Sequence, residues 1–129
     1  MPNDGPARAQ EREYPTPTVD GFVPRANGDY AFQIGPSFQP AIARAYRMDD
    51  CAEDKTCVVL YFISAPSLPL GEHNCVVVHG KKFCVWEHDG YRVVTWKNDR
   101  LGLYCMAVCK TTEMDHDALV NFANIASAQ

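Results

Sequence analysis

Residues 74–91 read NCVVVHGKKFCVWEHDGY, and the register of this stretch decides what the chain can fold into. Apolar, β-branched runs flank His79-Gly80 on both sides. If those two residues form a hairpin loop, Val78 faces Lys81, Val77 faces Lys82, Val76 faces Phe83 and Cys75 faces Cys84. The second and fourth pairs out from such a turn are the non-hydrogen-bonded ones, where side chains approach most closely. The two sulfurs then fall within disulfide reach. A type I′ turn needs positive φ twice, which glycine adopts freely and histidine tolerates. The rival register, a type II′ turn at Gly80-Lys81, sets Cys84 opposite Val77 and leaves the sulfurs diagonal. In the first register Val76, Val78, Phe83 and Val85 share one apolar face, with the cysteines beside Val77, Lys82 and Trp86 on the other. A cross-strand disulfide on the less buried face is the preferred reading, against free thiols or metal ligands.

The pattern continues in both directions. Cys57–Ile63 is an apolar run of β-branched and aromatic residues, the mark of a buried strand. Residues 65–72, with prolines 66 and 69, read as a loop. Cys75–Val78, Lys82–Trp86, Tyr91–Trp96 and Leu101–Val108 then follow as short strands separated by His-Gly, His-Asp-Gly and Asn-Asp, which predicts an antiparallel meander. In DHDALVNFANIASA, Leu119, Phe122, Ala123 and Ala126 recur at helical spacing, with Asp115 as N-cap and Asp117 in the first turn. Gln39–Met48 is ambiguous: Ile42, Tyr46 and Met48 alternate as in a strand, while the alanines suit a helix. Residues 21–37 mix Phe22, Tyr30, Phe32 and Ile34 with Gly, Pro and Asn, and are expected to be irregular structure laid over the core. Residues 1–20, with four prolines and no apolar period, read as a disordered arm or linker. The expectation is an arm (1–20) and a single α+β domain (21–129). Its antiparallel meander has five to six strands, with the C-terminal helix packed on one face. Val58, Leu60, Phe62, Val76, Val78, Phe83, Val85, Leu119 and Phe122 should supply much of the core.

Composition narrows the function. The chain has 129 residues, enough for one domain with a true core. Twelve basic residues are scattered among sixteen acidic ones, for a net charge of −4, so no clustered basic surface exists for a phosphate backbone. Nucleic acid is set aside as a partner. Residues 1–20 lack the apolar core of a signal peptide, and Val58–Ile63 is far too short to span a bilayer. A targeting or anchoring segment, if the domain is exported, is expected to have been removed or to lie upstream.

Six cysteines are an even number and a high share for this length, which favours an oxidising compartment and up to three disulfides. Cys51 and Cys57 flank a short polar loop that a disulfide could close. Cys105 and Cys109, four apart, would lie about 13 Å apart on one face of a straight strand and could not bond each other. They pair with Cys51 and Cys57 across the sheet, or the strand ends near Val108. A soft-metal or thiol redox site built from Cys105, Met106 and Cys109 is the competing reading, since thiolate and thioether suit copper or zinc. No nucleophile elbow, zincin, phosphate-loop or dinucleotide motif occurs, so no catalysis and no cofactor are expected. Trp86, Tyr91 and Trp96 could build a protein-binding surface, because aromatics are enriched at interfaces; packed under a helix, they would be core instead.

DGYRVVTWKNDRLGLYCMAV (residues 89–108) followed by the helix DHDALVNFANIA resembles the extracytoplasmic C-terminal domain of bacterial transmembrane anti-sigma factors. QPAIARAYR resembles that family's Pro-Ala-Ala-x-x-x-Tyr strand, and VVLYFISAP its next strand ending in proline. The resemblance spans about residues 38–126. Arg100 stands where the pattern usually has glycine, and Gly102 comes two places late. The family's zinc-associated His-x-x-x-Cys-x-x-Cys segment and its membrane helix are absent from the sequence. What the resemblance implies is therefore the periplasmic regulatory part: a non-catalytic signal-sensing or protein-interaction module, tethered through an upstream segment, and not the part that holds a sigma factor.

Overall fold

The computed structural model describes residues 16–34, 37–49, 56–64, 74–100 and 102–128, and for residues 26–34 and 37–40 it describes the backbone alone. Seven strands form one antiparallel sheet: β1 (Phe22–Ile34), β2 (Ser37–Met48), β3 (Val58–Ile63), β4 (Asn74–Val78), β5 (Lys81–His88), β6 (Tyr91–Asn98) and β7 (Leu103–Lys110). Among the described residues one helix, α1 (His116–Ser127), follows β7. The α+β class with a C-terminal helix stands, but the described residues hold seven strands where five to six were expected.

The extra strand is β1. Pro24, Asn27 and Gly28 read as breaks in the sequence, yet this segment pairs with β2 along its whole length. It can do so because β1 is the edge of the sheet, where a missing N–H and a local irregularity cost little. The register shift between Pro24 and Ala26 absorbs the proline. Gln39–Met48 resolves as strand: pairing on both flanks, to β1 and β3, overrides the alanines.

The sheet is also not one continuous meander. Its order is β1-β2-β3-β7-β6-β5-β4. After β3 the chain crosses to the far edge, lays down β4, and returns strand by strand until β7 closes against β3.

The hairpin turns follow residue chemistry. His79 and Gly80 both have positive φ, 51° and 79°, and the register they set is Val78↔Lys81 through Cys75↔Cys84. Asp89 and Gly90 repeat the device, with φ of 50° and 80°, between His88 and Tyr91. The next turn is longer, Asp99 to Gly102, and closes with the Gly102 N–H donating to the Asn98 carbonyl at 2.8 Å.

Directly opposed residues share a face, so the register sorts the side chains. Val58, Leu60, Phe62, Phe83, Val85, Val94, Trp96, Leu103, Cys105, Ala107 and Cys109 point toward α1. They form the main core with Ile42, Tyr46, Met114, Leu119, Val120, Phe122, Ala123 and Ala126. Val76 and Val78 pack on its margin. Val19 joins the same cluster, and Tyr46 donates its hydroxyl to the Pro17 carbonyl at 2.7 Å. The packed chain thus reaches into residues 16–20; residues 1–15 of the expected arm lie outside the described residues.

Helix α1 is held at both ends. The Asp115 carboxylate accepts from the Ala118 N–H at 2.8 Å, the N-cap its sequence position predicts. At the other end Lys81 Nζ donates to the Ser127 carbonyl at 2.8 Å, a cation placed where the helix dipole favours one. Arg92 fastens the β7–α1 link: one guanidinium nitrogen donates to the Met114 and Thr111 carbonyls, another to Glu87 at 3.1 Å.

Candidate functional site

The cystine comes first. Cys75 and Cys84 face each other across β4 and β5 and are joined by a disulfide. Both are half-buried, on the sheet face away from α1, next to the exposed Val77. The register count from His79-Gly80 therefore holds residue by residue.

From the cystine a row of side chains crosses this face: Cys75, Cys84, Thr95, Met106, Tyr61 and Ala43, each directly opposite the next. A parallel row runs Trp86, Val93, Val108 and Val59. Ala41 and Ile63 are buried here, with Tyr61 and Met106 packed against them as a second, smaller cluster. Trp86, Tyr61, Met106 and Val108 keep part of their surface in solvent. Among the described residues α1 packs on the opposite face, against β5, β6 and β7 and, through Phe122, against Phe22 and Tyr46. The result is an apolar, aromatic patch that extends from the cystine across the sheet, with Tyr91, 45% exposed, at its margin.

Of the three aromatics expected at an interface, Trp86 and Tyr91 share this face and Trp96 does not. Trp96 is 4% exposed and packs beneath α1, its ring 5.7 Å from Phe83. The alternation that brings Trp86 outward sends Trp96 inward, because Trp86 opposes Val93 and Trp96 opposes Cys105. Trp96 is corrected from surface to core. Counting register onward through Asp89-Gly90 would have shown this, and the same alternation in Val58–Ile63 places Tyr61 on the patch. The Arg92 contact with Glu87 follows from the same hairpin count, but its hold on the Thr111 and Met114 carbonyls had no signal in the sequence, since these lie in a turn that follows the next strand.

The remaining cysteines do not form the bridges expected of them. Cys57, Cys105 and Cys109 are free, buried thiols, and Cys51 lies outside the described residues. Cys105 and Cys109 sit on the α1 face of β7, opposite Phe62 and Val58, so they are kept apart by strand geometry and face hydrocarbon. Cys57 Sγ accepts from the Met48 N–H at 3.4 Å. Burial pushes the Cys105 thiol up to about 12, against the smaller pull of an Asn98 hydrogen bond and the Lys81 charge. Burial likewise raises Cys109, with Arg92 opposing. Thiols so placed are protonated at neutral pH and poor nucleophiles.

The metal alternative meets the same geometry. Met106 opposes Thr95 and Tyr61 on the patch, whereas Cys105 and Cys109 lie across the sheet from it. The three donors cannot converge on one ion. Among the described residues no group of three His, Cys, Asp or Glu side chains converges on a point either. His88 and Asp89, 3.1 Å apart, are both largely exposed in their turn. A cleft of about 500 Å³ lies at the α1 N-terminus between Phe22, Met48 and Met114. Of the three carboxylates that line it, Asp49, Glu113 and Asp115, the last is already engaged as the N-cap.

No helix among the described residues is long and apolar enough to cross a membrane. Comparison of the chain with family models, with curated proteins and with solved structures finds no match.

Proposed function

We propose that this protein is a non-catalytic, extracytoplasmic signal-sensing or protein-interaction module that binds a protein partner through the sheet face opposite α1. The carrying observation is the row of Met106 and Tyr61 that runs across the sheet from the Cys75–Cys84 cystine, with Trp86 and Tyr91 beside it on the same face. Aromatic and methionine side chains on a stiff sheet offer large contact area with little ordering cost, the composition that interface cores favour. A disulfide between half-buried cysteines persists in an oxidising compartment, which supports a periplasmic or otherwise exported setting. The resemblance to the regulatory domain of anti-sigma factors agrees with both, and gives the reading its signalling character.

The test is site-specific photo-crosslinking in cells that export the protein. A photoreactive phenylalanine analogue at position 86 should capture one discrete protein, and the same probe at Ala118, exposed on α1, should not. Intact mass confirms that each variant keeps its cystine. Equal capture from both positions, or none from position 86, would remove the patch as the working surface.

A further inference from the structure

The two edges of the sheet are built differently. Edge strand β1 carries Pro24, a register break and the charged Arg25, the features by which sheets discourage edge-to-edge pairing. The other edge, β4, is NCVVV, with no charge, no proline and no register break. It is joined to β5 by the cystine.

Which groups β4 presents follows from its ladder. Residues of hydrogen-bonded pairs turn both N–H and C=O toward the neighbouring strand, and those of the alternate pairs turn them away. Counting from the His79-Gly80 turn, Val78, Val76 and Asn74 bond to β5. Cys75 and Val77 therefore aim their N–H and C=O outward. Among the described residues no strand lies beyond them. Val77 is also the most exposed of the large apolar side chains described, at 71%.

We infer that a second copy of this chain pairs antiparallel along β4, extending the sheet across a twofold axis at Val76. This register is self-complementary. Cys75 of each copy faces Val77 of the other, and each such pair exchanges two N–H···O bonds through the outward-facing groups. Val77 then packs beside the cystine of the second copy, and the two Val76 side chains meet on the α1 side. A cleft of about 320 Å³ between β4 and α1 lies on that side, floored by Val76, Val78 and Val120 with Asp117, Asn121 and Asn124 along it.

Charge fits the same arrangement. Arg92 holds the Met114 carbonyl at the start of α1 and Lys81 the Ser127 carbonyl at its end. The Asn74 end of β4 is therefore the Asp117 end, and the Val78 end carries Lys81 and Lys82. Antiparallel pairing sets the acidic end of one copy against the basic end of the other.

Sedimentation equilibrium of the full, oxidised chain over a concentration series tests the pairing, with Val77→Pro and Val77→Lys as variants. Proline at 77 removes a donor that β5 does not use, so the cystine and the far-UV spectrum should be unchanged. The wild type should show a monomer–dimer equilibrium, and each variant a dissociation constant raised roughly tenfold or more. A wild type that stays monomeric at every concentration overturns the inference. So does a dimer whose dissociation constant neither variant changes, since Val77→Lys places a charge in the contact even if the proline variant misfolds.

Discussion

Tyr46 shows how much a single buried polar atom can organise. Its ring packs edge-on against Phe122 at 5.3 Å, and its hydroxyl ties the Pro17 carbonyl to the core at 2.7 Å. Burial raises its pKa from 10.0 to about 12, with the Arg44 charge opposing; Cys105 moves from 9.0 to about 12 for the same reason. A folded-state pKa above the unfolded one means that the native state binds the proton more tightly. Their contribution is complete below pH 9 and is lost as pH climbs from about 9 to about 12. Urea unfolding at pH 7, 9 and 11 should therefore show a fall confined to the upper interval. Tyr46→Phe should cost about 1 kcal/mol at pH 7 through the lost hydrogen bond, and its alkaline decline should be shallower. An identical alkaline slope in the variant would show that Tyr46 is not one of the groups responsible.

At the scale of elements, α1 and the β4–β5 hairpin were legible because their signals are local. Asp115 precedes an apolar stripe at helical spacing, and His79-Gly80 fixes every pair out to Cys75↔Cys84. Asp115→Ala should lower stability by about 1 kcal/mol while Asp115→Asn should retain most of it, measured as urea midpoints. Equal losses in both would mean that the carboxylate acts through charge and not as a cap. β1 was not legible, because Pro24, Asn27 and Gly28 announce a break that only pairing with β2 overrules. The candidate site was legible in part for the same reason. The cystine and Trp86 follow from one turn, whereas placing Trp96 needs the count carried through a second, and the free thiols depend on what lies across the sheet.

The whole molecule is held together at a seam that no local pattern announces. β3 and β7 lie far apart in sequence, yet their pairing joins β1–β3 to β4–β7 in one sheet. A run of apolar residues says that a strand is buried, not which strand it meets; that choice is settled by how the two sets of hairpins bury their faces under α1. Along the seam, Leu60 opposes Ala107, which in turn opposes Val94, and all three are buried. The small alanine leaves room for the leucine, so Leu60→Ala opens a cavity where the two halves meet. It should cost roughly 2–5 kcal/mol. Because the core is continuous across the seam, that loss should reach both halves alike. Native-state hydrogen exchange should show β2 and β6 amides losing protection by the same amount, as in a single cooperative unit. If β6 kept its protection while β2 lost it, β4–β7 with α1 would be a folding unit of its own, and β1–β3 an addition to it.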